Sequence, residues 1–317
     1  MRLRAVLLGL LARTTRAWPK IEECPHFPGS TPIAEYHACI LDRMAALAAA
    51  AAAAPSAPRR APAMVQVGAH LAWLDVNDPF RRATEAANGS ALARTVLVEP
   101  QPHIAARLAR AVARDARGGG GGGGGGGEAR AVDVLRAAVC AADGANVTFY
   151  GISPEVDATN GHLRNGRGKL QPYTSQVASL SREHLLRHKR RIPQIEQYIV
   201  EERVPCYTVA SVLERYGIRA ADAMVLTVDA EGEDAAIIES VDFGADFAPW
   251  LVVFEYFHLM ETNFTRLTAA QNRLLARGYS CWRDEENFWF LGGRGGWGTS
   301  PTREEMAACG ARRGRRR

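Results

Sequence analysis

The chain has 317 residues, 47% apolar, 23% charged and 8% aromatic, enough to bury a sizeable core in one large domain or two small ones. That balance excludes a wholly disordered or fibrous chain. The formal charge of +5 resides at the end of the chain, where Arg312 to Arg317 hold five arginines and one glycine. A basic fringe on a neutral body argues against a protein organised around phosphate neutralisation, which spreads its charge along a face of the fold. The 36 arginines against 3 lysines, with the runs Ala48 to Ala54 and Gly118 to Gly127, look like coding composition, so arginine runs are discounted.

At the N-terminus, Arg2 and Arg4 precede the apolar stretch Ala5 to Ala12, and no acid appears before Glu22. This fits either a short secretory h-region or an arginine-rich transit peptide. Three sequons, at Asn88, Asn146 and Asn263, favour the secretory route (ER/Golgi) over an organelle or the cytoplasm, although Asn146 falls at a strand start, where a glycan is awkward. No other stretch approaches the ~20 continuous apolar residues of a membrane span. Residues 1–62 therefore read as a leader, a short helix over Ile33 to Ala54, and an Ala/Pro linker, Pro55 to Pro62.

From Met64 short apolar runs recur: Met64 to Val67, Thr95 to Val98, Val132 to Val139, Met224 to Val228 and Leu251 to Phe254. Continuous apolarity marks strands buried on both faces, and the helix-length stretches between them supply parallel crossovers. The reading is a doubly wound α/β sheet. Helical patterning is expected over Pro102 to Arg114, with the proline early where its missing N–H costs nothing, and over Asp234 to Val241. The glycine run 118–127 reads as a flexible insertion; it lacks the GK[ST] of a phosphate-binding loop. A hairpin is expected over Tyr279 to Trp282 and Phe288 to Leu291, joined by an acidic turn, and residues 294–317 read as an arginine-rich tail. The domain is thus placed at 63–293. Six cysteines show no CxxC and no accompanying His pair, which disfavours zinc. Cys24 and Cys39 are the only closely spaced pair outside the domain, and their spacing fixes no pairing.

Four strand tips carry the chemistry. Gly68-Ala69-His70 turns off the first strand, and Glu99 ends the second, where an acid can accept both hydroxyls of a ribose. Asp229, Glu231, Glu233 and Asp234 follow the fourth strand at the carboxyl edge where ligands bind in open α/β sheets. Glu233 and Asp234 read as helix-start residues, and Asp229 reads as a crevice residue. Glu255 and His258 sit at the end of the fifth strand, His258 being able to take a proton near neutrality. The basic stretch Arg187 to Arg191 reads as a solvated helix end, the other reading being an anion-binding acceptor element.

The ordered set of Val65 to Ala69 with Asn77-Asp78-Pro79, Val96 to Pro102, Ala137 to Val139 with Asp143-Gly144 and Phe149-Tyr150, Ala178-Ser179-Leu180, Val204 to Thr208, Val228 to Gly232, Phe254-Glu255 and Gly278-Tyr279 resembles the FkbM-type S-adenosylmethionine-dependent methyltransferases. The resemblance implies a Rossmann-like α/β fold: a seven-stranded, mostly parallel sheet with one antiparallel strand from a C-terminal hairpin and helices on both faces. It implies S-adenosylmethionine as cofactor and methyl transfer to a hydroxyl, here expected on a sugar, glycan or small molecule; a nucleic-acid partner is not expected, because the arginine-rich segments are discounted on composition. Carried over by position, Gly68, Ala69 and His70 face the methionine end of the cofactor, Glu99 with Pro100 holds the ribose, Ala138 and Val139 flank the adenine, and Asp229, Glu231 and His258 line the methyl-transfer site. Asp229 or His258 serves as the base and no metal is required; Asp229, Glu231 and His258 ligating a divalent ion is the alternative. Ala72 stands where a second glycine is usual, which leaves open a degenerate copy that acts as a binding module.

Overall fold

The computed structural model describes residues 24–28, 33–53, 61–70, 92–118, 131–153, 177–244, 246–292 and 297–314. The arginine-flanked leader, most of the Ala/Pro linker, Ala72, Asn77-Asp78-Pro79, the Asn88 sequon, the glycine run beyond Gly118 and the last three arginines lie outside the described residues. The elements are α1 (Ile33–Ala53), β1 (Ala63–Val67), β2 (Arg94–Val98), α2 (Pro102–Gly118), β3 (Ala131–Leu135), β4 (Ala138–Val139), β5 (Gly144–Ile152), α3 (Arg182–Leu186), β6 (Ile199–Tyr207), α4 (Val209–Arg215), β7 (Ala223–Val228), α5 (Asp234–Ser240), β8 (Leu251–Glu255), α6 (Phe257–Thr262), α7 (Phe264–Ala276), β9 (Tyr279–Arg283), β10 (Asn287–Gly292) and α8 (Arg303–Gly314). Among the described residues no helix is long and apolar enough to cross a membrane.

The main sheet has seven strands in the order β3-β2-β1-β7-β8-β10-β9. The pairs β3–β2, β2–β1, β1–β7 and β7–β8 are parallel, and β10 runs antiparallel to both of its neighbours. β1 and β7 are buried along their whole length, because helices cover both faces of a parallel sheet and leave no solvated side for polar alternation. On one face Val65, Val67, Val96, Val98, Leu226 and Phe254 pack on α4, α5 and α7 through Val212, Ile237 and Leu274. On the other face Leu97 packs against Ile104 and Leu108 of α2, while Met64, Leu251, Val253 and Trp289 pack on Tyr36, Ile40 and Met44 of α1.

Residues outside the expected limits 63–293 join this core. Helix α1 ends within one residue of its expected terminus and supplies much of the second face. The stretch read as tail contains α8, which seats Met306 in the same cluster, and Trp297 precedes it there. The segment 24–28 lies along β9: Arg283 N–H donates to Pro25 O (3.0 Å), Phe27 N–H donates to Arg283 O (3.3 Å), and Cys24 is disulfide-bonded to Cys281 with Cα atoms 4.8 Å apart. This covers a sheet edge that would otherwise offer unpaired backbone groups.

One expected strand divides in two. The run Val132 to Val139 leaves the main sheet after Leu135, at exposed Arg136, whose guanidinium pairs with Glu202 of β6 (3.4 Å). Ala138 and Val139 then pair with Cys206 and Tyr207 in a second sheet of order β4-β6-β5. A disulfide, Cys140–Cys206, with Cα atoms 5.9 Å apart, fastens that junction.

Candidate active site

The chain leaves β1 through Gly68, whose φ of +69° a glycine adopts without strain. A Cβ at this position would collide with the backbone carbonyl of Asp229. The turn is held by Asp229 N–H donating to Val67 O (3.1 Å) and Ala69 N–H donating to Val98 O (3.0 Å). It is thus wedged between the tips of β2 and β7. His70 takes the left-handed region (φ +44°) and its N–H donates to Glu99 Oε2 (2.8 Å). The Gln101 N–H donates to Glu99 Oε1 (2.8 Å), so the carboxylate of Glu99, only 2% exposed, is clamped by two backbone amides with Pro100 between. Burial pushes its pKa up to about 7 against the opposing pull of those amides. Gly68, Ala69, His70 and Glu99 are therefore brought together. Ala138 packs among Phe149, Val204 and Cys206, and Val139 joins the core cluster that also holds Val67 and Val98, the residues before Gly68 and Glu99.

Beyond β7 the turn is fixed from several sides. Asp234, the first residue of α5, folds its carboxylate back to accept from Ala230 N–H and Gly232 N–H (3.1 Å each), a tighter role than the helix start expected for it. Ser179 Oγ donates to Glu231 O (3.0 Å) while the Ser179 backbone pairs with Tyr150 (2.9 Å), which couples the turn to the second sheet. Glu231 itself is held at φ +50°, an uncommon conformation for a side chain of its kind. Asp229 is exposed at the crevice.

His258 lies in the first turn of α6 rather than on the strand end. Its Nε2 is 3.3 Å from Glu231 Oε2 and 3.7 Å from Glu255 Oε1. The pair expected from the sequence, Glu231 and His258, is therefore in contact. Sequence reasoning missed a third member, His184 of α3, whose Nε2 is 3.0 Å from Glu231 Oε2. His184 is buried, with its ring 4.7 Å from that of His258 and 5.5 Å from that of His188 between centroids. The only sequence signal was Ser181 three residues before it, whose hydroxyl caps α3 at His184 N–H (3.3 Å).

Burial would raise the pKa of Glu231, but hydrogen bonds from His184 and His258 outweigh it and hold the carboxyl at about 2. Burial raises Asp234 to about 6. It also raises Glu255 well above the carboxylate range, with the charges of Asp229, Glu231, Asp234 and Glu286 adding to the effect. Burial lowers His188 to about 4, aided by the neighbouring charge of His184. The crevice thus concentrates carboxylates around a two-imidazole cluster. This arrangement can hold a proton or a cation next to whatever approaches the β1 and β7 tips.

Comparison with solved structures finds similarity to the crystal structure of methyltransferase FkbM from Methylobacillus flagellatus KT, at 11% identity and a TM-score of 0.40, over 73% of this chain and 44% of that one. The chain thus spans less than half the length of that protein. Comparison with curated proteins found no match. The family model of the methyltransferase FkbM domain matches residues 66–281, which takes in every strand tip just described and more than half of the chain. The protein belongs to the FkbM methyltransferase family.

Proposed function

We propose that the protein uses S-adenosylmethionine to methylate a hydroxyl group of a sugar, a glycan or a small molecule. The observation that carries this reading is the convergence of the Gly68 turn, the clamped Glu99 carboxylate and exposed Asp229 at the carboxyl edge of β1, β2 and β7. The residues fit the cofactor. Gly68 packs directly on the Asp229 backbone carbonyl, which brings the turn after β1 against the tip of β7. Each Glu99 oxygen accepts one amide hydrogen, and the carboxylate keeps lone-pair capacity for a ribose hydroxyl. Asp229 supplies negative charge beside a sulfonium. Bound S-adenosylmethionine supplies an already activated methyl group. The chain's own work is then to align the acceptor hydroxyl and to take its proton, and Asp229, which opens to the crevice, is placed for the second task.

Calorimetric titration of the whole chain with S-adenosylmethionine and with S-adenosylhomocysteine tests the reading, followed by a methyl-transfer screen over sugars and small alcohols. Asp229→Asn should lower turnover by about 10²–10⁴-fold, the range for loss of a positioned base, and should also weaken the cofactor. Absence of binding at millimolar cofactor would overturn the proposal. The disulfides Cys24–Cys281 and Cys140–Cys206, with Cys39 also bonded, support residence in an oxidising compartment. Asn146 and Asn263 are both exposed, which is compatible with secretory glycosylation.

A further inference from the structure

We infer that His184, Glu231 and His258 form a binding site for a divalent first-row transition ion. His184, Glu231 and His258 each offer a ligand atom within 4.8 Å of the other two, and Glu231 Oε2 is 3.0 Å from His184 Nε2 and 3.3 Å from His258 Nε2. An ion about 2.0–2.2 Å from each ligand atom needs neighbouring ligands roughly 3 Å or slightly more apart, so small rotations of the two imidazoles complete the site. Two imidazoles and one carboxylate on one side of an ion leave the opposite positions open, the donor set of ions such as Zn²⁺, Mn²⁺ or Fe²⁺ rather than of Mg²⁺ or Ca²⁺, which prefer all-oxygen shells.

Three independent parts of the fold aim these side chains. α3 carries His184 in from the insertion between β5 and β6, the β7 turn carries Glu231, and α6 carries His258. Glu231 is locked in its left-handed conformation by bonds to its own carbonyl and to the amide of Gly232. The surroundings leave a polar group unpaired. Glu255 Oε2 is buried with no hydrogen-bond partner, and its other oxygen is 3.7 Å from His258. His188 packs its ring against both ligand imidazoles, at 5.5 Å and 6.4 Å between centroids, and so restrains them.

This inference rests on the proposed methyl transfer for its purpose. An ion here would lower the pKa of an acceptor hydroxyl bound at its open side, which lets Asp229 take a proton that a free alcohol would not release. His258 then acts as a ligand instead of as the base.

The test uses the full chain, stripped with a chelator, dialysed against Zn²⁺ or Mn²⁺ and then against metal-free buffer. Elemental analysis should find about one ion per chain, and saturating metal should raise the melting temperature. In His184→Ala and His258→Ala, each first checked for a native circular dichroism spectrum, both effects should disappear. Cobalt(II) loaded in place of zinc should show visible absorption bands that His258→Ala shifts or abolishes. Stoichiometry and stabilisation unchanged in both variants, or no retained ion in the folded wild type, would overturn the site. Titration with S-adenosylhomocysteine separates this from the functional reading: metal bound without cofactor refutes the methyltransferase proposal alone, and cofactor bound without metal refutes the metal site alone.

Discussion

Glu99 offers the sharpest test of how the cofactor would be held. Its two oxygens each accept one backbone N–H, from His70 and Gln101 at 2.8 Å, and the Gln101 side chain hydrogen-bonds the same carboxylate; of its roughly four acceptor positions, about one remains for a ribose hydroxyl. Hydrogen bonds to a charged group are worth roughly 1.5–3 kcal/mol, and Glu99→Ala should weaken S-adenosylhomocysteine by about 10- to 150-fold. The same change leaves the buried Gln101 N–H and the partly buried His70 N–H without this acceptor and should lower stability by ~1–3 kcal/mol for the buried one and less for the other, so the variant must be shown folded before its affinity is read. The pH dependence adds an independent signature. Folding raises this carboxyl from 4.5 to about 7, so the folded state favours the protonated form. Its contribution to stability is therefore best at pH below 4.5 and declines as the pH climbs to about 7, by on the order of 3 kcal/mol. A diol that donates hydrogen bonds needs the ionised form. Affinity should therefore rise by up to tenfold per pH unit below about 7 and flatten above it. Glu99→Gln, uncharged at every pH, should bind weakly with a flat profile. Calorimetry across pH 5.5–8 reads both effects; an unchanged Kd in folded Glu99→Ala would falsify the ribose assignment.

Further outcomes are expected elsewhere. Gly68→Ala drives a Cβ into the Asp229 carbonyl at a left-handed φ; it should cost at least ~1–3 kcal/mol of stability and abolish measurable cofactor binding, whereas a variant with wild-type Kd would show that the turn does not contact the ligand. Cys24→Ser opens a disulfide of sequence separation 257; denaturant melts should report a loss of ~2–5 kcal/mol, and identical midpoints would mean the bond does not form. Asp284 accepts from Glu286 N–H, Asn287 N–H and Trp289 Nε1–H (2.9, 2.7 and 2.8 Å). Burial works to raise its pKa, but His37 and these donors outweigh it and lower the value below 3.8. Its stabilisation is thus present above pH 3.8 and lost as the pH falls through the lowered pKa. Asp284→Asn should cost ~2–3 kcal/mol at pH 7 and flatten the acid limb of the stability curve; an unaltered acid limb would contradict this account.

What the sequence disclosed tracks how local the responsible forces are. β1, β2, β7 and β8 were visible because each is a short apolar run closed by turn residues, and the observed ends fall within one residue of the expected ones. The contact of Glu231 with His258 was open to anticipation because strand tips of an open α/β sheet gather at one crevice. Of the second sheet, a strand start at Asn146 was expected within β5, but β6 was not read as a strand from its residues. β6 carries Glu201, Glu202 and Arg203 on a largely exposed stretch, which gives no clean period. His184 was hidden for a related reason: it belongs to a five-residue helix and acquires its role only from residues 47 and 74 positions further on. α8 escaped because its composition is that of a basic tail, although Met306 sits in the core. The Cys24–Cys281 link had no local signal at all, since each partner lies nearer in sequence to other cysteines than to its mate.

That link also imposes an order of events on biosynthesis. Cys281 lies 257 residues behind Cys24, so at a synthesis rate of roughly 5–20 residues per second the first thiol waits roughly 13–50 s for its mate. Cys39, Cys140 and Cys206 all emerge within that interval, and the last two can close their own bridge early. Cys24 meanwhile stands near Cys39 on the growing chain with no native partner yet made. The native bond must therefore be reached late, by exchange among thiols that have already met, and only once the β9–β10 hairpin exists to present Cys281. A cell that makes this protein must keep its N-terminal cysteine exchangeable until the final hairpin is in place.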